Sequence, residues 1–368
     1  MAEKSDNVPS RYPPKQSKFK GEPMHRDQGF ADMKIKILFV LLFVLFATGC
    51  PAQKEVAFSG RTMGTVYSIK IITGYSEGLD GLKQEIDDRL DEINRSMSVY
   101  IKDSEISLFN QSPPRKPLAV SEDFLTVIKT ARTIYRQTEG SWDGTVGPLV
   151  DLWGFGTTGH DRQIPPSEKI KKLLLKTGFD NIEVIENKYL SKNKPGISLD
   201  LGSIAKGYGV DQISKLIRGK GIKNYLVEIG GEVYAEGYRK DGGKWRIGIN
   251  KPEKSAPFND IYKIVSLHNK AMATSGDYRN FFEKNGKTYS HIIDPKTGYP
   301  VLNQVVSVSI VADSCTYADG LATAVMVMGP KKGIDLINRL DNIEGLIIVM
   351  ENDGRLTDHA SKGFDSDF

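Results

Sequence analysis

Apolar residues at Leu79, Leu82, Ile86, Leu90, Ile93 and Met97 recur at three- and four-residue steps, which predicts a helix burying one face. A second helix is predicted from a Ser121 N-cap, through acidic first-turn residues, to Glu139, where Gly140 stops it. Ser167 is expected to cap a third. Strand-like runs occur at Val56–Ile72, interrupted by Gly60–Thr65, and at Ile182–Ile185, Ile197–Leu199, Trp245–Ile249, Ile261–His268 and Val305–Val311. Tyr225–Ile229 and Glu232–Glu236 flank Gly230-Gly231, a hairpin signal. Ala271–Arg279 and Tyr289–Gly298 read as another hairpin-like pair. Thr316–Met328 and Lys332–Leu340 read as helices, and Gly345–Met350 as the closing strand. Met97–Ser107 and the Gly- and aromatic-rich Gly140–Gly156 read as loops, the second long enough to be functional.

Hairpins mixed with helices predict an α+β fold with mainly antiparallel sheets and flanking helices, in one composite domain over residues 51–368. Its most suggestive stretch is Ile197–Gly207, where an apolar segment ends in Asp200, turns through Gly202-Ser203 and enters a helix over Tyr208–Arg218. Such a junction sets free backbone N–H groups beside a carboxylate and Lys206, a place for a phosphate-bearing ligand. Glycine turns made only for packing look the same in sequence.

The chain's start reads differently. Residues 1–32 are polar, with several prolines and no apolar period, and are expected to be disordered or to precede the true start. Met33-Lys-Ile-Lys36 opens a second beginning, and the apolar run Ile37–Ala47 is short for a span but suits a signal peptide. Cys50 after Thr48-Gly49 resembles a lipobox cysteine, the site of lipidation, although Ala47 stands where Leu is usual.

Composition narrows the classes. The 368 residues are 39% hydrophobic and 26% charged, an ordinary globular balance. A net charge of +4, with several of the lysines and arginines in the N-terminal tail and no basic face with interleaved aromatics, argues against nucleic acid as a partner. Cys50 and Cys315 are the only cysteines, so no disulfide framework is expected.

Two constellations carry candidate chemistry. Asp319 and Thr323 lie four apart on a predicted helix and project from one face. Few, hard oxygens suit Mg²⁺, which keeps waters and borrows phosphate oxygens; taken alone, the pair is more simply a macrodipole-favoured acid and a back-bonding threonine. His291, in Tyr289-Ser-His-Ile-Ile-Asp294, has the pKa to take a proton from a hydroxyl, and also suits a satisfied core position. Strand alternation would put His291 and Ile293 on one face and Ile292 on the other. No zinc-ligand spacing, P-loop or G-x-S-x-G is present.

Seven segments in order resemble the ApbE family of FAD:protein FMN transferases. They are Gly60-Arg-Thr-Met-Gly-Thr65, Ser96–Tyr100 with Ser104–Ser107, Trp142-Asp143 through Gly147-Pro148, Asp200–Gly207, Thr274–Arg279, Ser290–Pro295, and Ala318-Asp319 through Thr323. The resemblance spans about Gly60 to Met350. It implies a T-fold-related domain and a Mg²⁺-dependent reaction, in which a threonine hydroxyl of a target protein attacks the FMN-side phosphorus of FAD and AMP leaves. Carried over by residue, Asp319, Thr323 and the Ser203 carbonyl would hold the metal. Met63, Tyr100, Ser141, Trp142, Asp143, Asp200, Lys206 and Ile293 would contact FAD, and His291 would be the base. Trp142 is the aromatic expected to stack on a ligand ring. Implied targets are flavoprotein subunits of Na⁺-translocating NADH:quinone oxidoreductase or Rnf-type complexes, and the implied location is exported and lipid-anchored, at the periplasmic side of the inner membrane in a Gram-negative cell. Two other readings share these residues: a Mg²⁺-dependent FAD pyrophosphatase and a non-catalytic FAD-binding lipoprotein.

Overall fold

The computed structural model describes residues 53–74, 79–156, 161–253, 257, 260–277, 280–365 and 367–368. Residues 1–32, the signal-like segment 33–50 and Cys50 lie outside these. Gln53–Phe368 forms one compact unit. Among the described residues no helix is long and apolar enough to cross a membrane.

The chain opens with β1 (Lys54–Thr62) and β2 (Thr65–Thr73), an antiparallel hairpin in register from Lys54↔Thr73 to Thr62↔Thr65. The interruption expected over Gly60–Thr65 shrinks to Met63 and Gly64, whose φ values of 50° and 72° make the tight turn that hairpins favour. Met63 therefore sits at the tip. Helix α1 (Leu82–Met97) buries the predicted apolar stripe. Part of the presumed loop after it is helix α2 (Glu105–Gln111): the Ser104 hydroxyl accepts from Ser107 N, and Glu105 begins the first turn. Glu105 also accepts bonds of 2.6 Å from the Ser96 and Ser121 hydroxyls, so Ser96 and Ser104–Ser107 are a structural staple.

A short β3 (Leu118–Ala119) leads to α3 (Glu122–Gln137) with the expected Ser121 cap. The Gly140–Gly156 segment, read as loop throughout, contains α4 (Gly147–Leu152), with Pro148 in its first turn. In α5 (Ser167–Leu174), Pro166 holds the cap position and Ser167 is already helical. Next come β4 (Ile182–Ile185) and β5 (Tyr189–Lys192). Ile197–Leu199 is extended but forms no strand. The Asn110 amide takes the place of a neighbouring strand, donating to Leu199 O and accepting from Leu199 N at 2.8 and 2.7 Å.

Helix α6 (Ala205–Gly219) precedes β6 (Tyr225–Ile229) and β7 (Glu232–Glu236), paired as predicted. Then follow β8 (Trp245–Asn250), β9 (Ile261–Leu267) and β10 (Lys270–Gly276). The expected pairing of Ala271–Arg279 with Tyr289–Gly298 does not form: β10 pairs with β7 and with β13 (Val305–Ala312), while β11 (Phe281–Lys284) and β12 (Lys287–Ser290) close their own hairpin. Helices α7 (Cys315–Met328) and α8 (Pro330–Ile337), then β14 (Glu344–Met350), complete the predicted order. A further strand, β15 (Leu356–Ala360), has a polar sequence because it is the sheet's edge.

The main sheet has eight antiparallel strands in the order β1-β2-β6-β7-β10-β13-β14-β15. Alternate residues feed opposite faces. Ile69, Ile71 and Val227 pack with α1 and α6, Val308 and Ile310 pack with α7, and Val233, Met272 and Val311 pack on β8–β9 behind. The helices α6 and α7 thus lie side by side on one face, and the site forms at their junction.

Candidate functional site

Helices α6 and α7 touch so closely at Gly207 that a Cβ there would stand 2.3 Å from the Cys315 carbonyl oxygen. The same glycine does chemistry with its backbone. Gly207 is the third residue of α6, so its N–H has no acceptor within the helix; it donates to Asp319 Oδ2 at 2.9 Å. That bond fixes the carboxylate beside the Ser203 turn. Asp319, one turn before Thr323 on α7, is 3% exposed. Thr323 shares a 3.0 Å hydroxyl bond with Ser275 of β10. The N-terminus of α7 is held in place by Asp211, whose carboxylate accepts from Cys315 N and Thr316 N at 2.8 and 2.9 Å.

Lys206 lies between two acids, 2.6 Å from Glu232 Oε1 and 3.7 Å from Asp319 Oδ1. Burial works against its ammonium, but the two carboxylates outweigh it and raise the Lys206 pKa. Burial pushes the Glu232 carboxyl up, with Lys206 opposing and Asp319 reinforcing. Glu232 is 3% exposed, and its second oxygen, Oε2, is buried without a hydrogen-bond partner. Two carboxylates against one ammonium, with an orphaned oxygen, leave room for another cation or hydrogen-bond donor. Among the described residues no group of three or more His, Cys, Asp or Glu side chains is gathered for a metal. The donor set on offer is instead sparse and hard: Asp319 carboxylate, Thr323 hydroxyl and Ser203 carbonyl, which matches what Mg²⁺ takes from protein.

His291 follows directly on β12. The chain leaves the strand at Ser290, so the expected alternation fails and His291, Ile292 and Ile293 all reach the same cavity. Its Nδ1 lies 3.1 Å from the Asn280 carbonyl oxygen. A carbonyl only accepts, so Nδ1 carries the proton and Nε2 is left as acceptor. Burial lowers the His291 pKa, the Asn280 carbonyl opposes this, and the Arg162 charge adds to it. A lowered pKa favours the neutral ring that a base requires.

These groups line a cavity of about 390 Å³, together with Ser141, Trp142, Asp143, Asp200 and Ser203. A second cavity of about 640 Å³ is lined by Met63, Asn94, Met97, Val99 and Tyr100, and Asp200, Gly202 and Lys206 border both. Every sequence-predicted protein site residue among those described therefore lies on one or other of two adjoining cavities. Their jobs divide unequally. Asp143 spends its oxygens inside the protein, accepting from Thr145 N and Oγ1 at 2.8 and 2.6 Å and from Phe179 N at 3.2 Å. Burial raises the pKa of both Asp143 and Asp200, with the Gly202 N–H opposing it at Asp200. Trp142, the ring expected to stack on ligand, is only 2% exposed, edge-on to Phe179, and its Nε1 donates to Ser203 Oγ at 3.0 Å. It braces the Ser203 turn. Tyr100, at 79% exposure, is the aromatic with an open face.

Sequence reasoning missed Glu232, Ser275, Asn280 and Arg162. Glu232 had a signal, an acid directly after the Gly230-Gly231 turn, that was read only as hairpin. Ser275 lay within the family-like segment Thr274–Arg279 without being given a role, and nothing local marks Asn280 or Arg162.

Comparison with known proteins agrees with this geometry. The ApbE family profile matches residues 63–347. A Vibrio cholerae protein named FAD:protein FMN transferase is 45% identical over 331 residues, covering 89% of this chain and 97% of that protein. A Haemophilus influenzae protein of the same name is 38% identical, covering 88% and 95%. The solved structure of the flavin transferase ApbE from Vibrio cholerae superposes with a TM-score of 0.78 at 44% identity, covering 85% of this chain and 98% of the other.

Proposed function

The chain belongs to the ApbE family, and from that premise we propose that it transfers the FMN half of FAD to a threonine hydroxyl of another protein, releasing AMP. The observation that carries this reading is the joining of a charged cavity holding His291, Lys206 and Asp319 to a larger one with an open aromatic face. Both fall within the about 300–1,000 Å³ usual for ligand pockets, and together they suit a ligand with two ring systems linked by a pyrophosphate.

In this account the pyrophosphate lies beside Lys206 in the smaller cavity and a ring lies against Tyr100 in the larger. The acceptor oxygen attacks the FMN-side phosphorus, His291 Nε2 takes the hydroxyl proton, and the bond from that phosphorus to the AMP oxygen breaks. Phosphoryl transfer depends chiefly on in-line placement and neutralised charge. Asp319, Thr323 and the Ser203 carbonyl would hold Mg²⁺, which supplies Lewis-acid stabilisation of the phosphate oxygens. Lys206, held by Glu232, adds a fixed positive charge. A neutral His291 contributes about 10²–10⁴ in rate as general base.

The acceptors implied by the family resemblance are flavoprotein subunits of Na⁺-translocating NADH:quinone oxidoreductase or Rnf-type complexes. Lipidation at Cys50 would hold the enzyme at the membrane where such subunits are found. Incubation with FAD, Mg²⁺ and such an acceptor should add one FMN to the acceptor mass, on a threonine. Release of free FMN and AMP with every acceptor unchanged would replace this reading with FAD hydrolysis.

A further inference from the structure

Outside the residues just assigned, an exposed cation, Arg162, lies behind His291. Arg162 donates from Nη2 to Asn280 Oδ1 at 2.7 Å and from Nη1 to the Phe281 carbonyl oxygen at 2.9 Å. The fork therefore grips both residues of the segment that meets His291. The Asn280 carbonyl oxygen in turn accepts twice from the histidine, at 3.1 Å from its backbone N and 3.1 Å from Nδ1. The same guanidinium lies over the Phe155 ring, 5.1 Å from its centroid. Phe155 meets the imidazole edge-on at 6.4 Å and stacks on Phe282 at 5.7 Å. Arg162 thus braces the imidazole from two sides, through a carbonyl that sets its tautomer and through a ring that limits its tilt.

We propose that Arg162 is a positioning residue for the proposed reaction: it clamps Asn280 and Phe155 so that His291 presents an unprotonated Nε2 to the acceptor hydroxyl. This rests on the base role of His291. A planar five-donor fork makes both bonds at once, which a lysine ammonium does not do with the same geometry. The guanidinium also faces the imidazole electrostatically, along with the charged groups on the shared cavity wall, Asp143, Asp200, Lys206, Glu232 and Asp319. Of these, Lys206 has two acids beside it.

The test compares Arg162→Ala and Arg162→Lys with the unaltered enzyme and with His291→Ala, measuring kcat, FAD affinity and the pH profile of transfer. An imidazole displaced by about 1 Å costs on the order of 10²-fold, so Arg162→Ala should lower kcat by about that factor with FAD affinity unchanged. Its acidic limb should move to higher pH, because a cation that opposed protonation is gone. Arg162→Lys should return the limb and only part of kcat. An unmoved limb and unchanged kcat in Arg162→Ala, with His291→Ala still impaired, would overturn the proposal alone. Full activity in His291→Ala would remove the base and the proposal with it. A parallel fall of kcat, FAD affinity and thermal stability in both arginine variants would make Arg162 a purely structural residue and also overturn it.

Discussion

The two adjoining cavities are built in opposite ways. In the smaller, each working group is already held: Lys206 by Glu232 at 2.6 Å, Asp319 by Gly207 N–H at 2.9 Å, Thr323 by Ser275 at 3.0 Å and His291 by Asn280 at 3.1 Å. In the larger, Met63 stands at a hairpin tip and Tyr100 is 79% exposed. The working groups of one half are fixed by partners within the protein, whereas the other half offers an exposed ring above a buried floor of Ile93 and Met97. Preorganised dipoles and charges lower a barrier because they need no rearrangement during reaction, whereas an open aromatic face contributes only binding. Changes in the smaller cavity should therefore appear in kcat, and changes in the larger in FAD affinity.

The strongest challenge to this division is Asp319→Ala. Removing the only carboxylate of the hard-oxygen set should cost more than about 10³-fold in transfer, the several kcal/mol of charge stabilisation a metal supplies, and should abolish Mg²⁺ dependence. Full activity in this variant would remove the metal site from the smaller cavity. His291→Ala should follow, with a loss of about 10²–10⁴-fold in kcat and FAD affinity kept. The unaltered enzyme adds a pH signature. A base must be neutral, and burial lowers the His291 pKa from the usual 6.5, so the acidic limb of kcat should lie below that value and vanish in the alanine variant. An acidic limb above pH 7 would contradict the tautomer and burial argument.

Gly207→Ala sharpens the comparison from the side of stability. Its Cβ would meet Cys315 O at 2.3 Å and Asp319 Cβ at 2.8 Å, so the helices must part. Thermal unfolding should show a loss of about 1–3 kcal/mol, the usual cost of overpacking. An unchanged melting temperature would mean the α6–α7 contact is looser than described. The smallest effect is expected in the larger cavity. Tyr100→Ala should weaken FAD binding by about 2–10-fold, equivalent to the 0.5–1.5 kcal/mol of a ring–ring contact, and leave kcat at saturating FAD alone. A kcat collapse there would end the division of labour.

The two cavities also differed in how plainly they could be read. Asp200, Ser203, Lys206, Asp319 and Thr323 were legible because turn glycines and helical spacing put them at defined places within short stretches. Most of the long-period elements were legible for the same reason. What sequence left dark was decided by contacts across long separations. Asn110 replaces a strand beside Leu199, which is why Ile197–Leu199 joins no sheet. Phe179 meets the Trp142 ring edge-on, so Trp142 lines the smaller cavity with little of its face open, whereas Tyr100 is exposed. Glu232, Ser275 and Arg162 bond to Lys206, Thr323 and Asn280, partners 26 or more residues away, and their local patterns name no such partner.

The most direct test of the two-cavity account is a crystal structure of the His291→Ala enzyme with FAD and Mg²⁺ bound, the substitution slowing turnover. The account predicts the pyrophosphate in the smaller cavity between Lys206 and the vacated imidazole position, Mg²⁺ on Asp319, Thr323 and the Ser203 carbonyl, and one ring system against Tyr100. A pyrophosphate lying outside that cavity, away from Lys206 and Asp319, would contradict it.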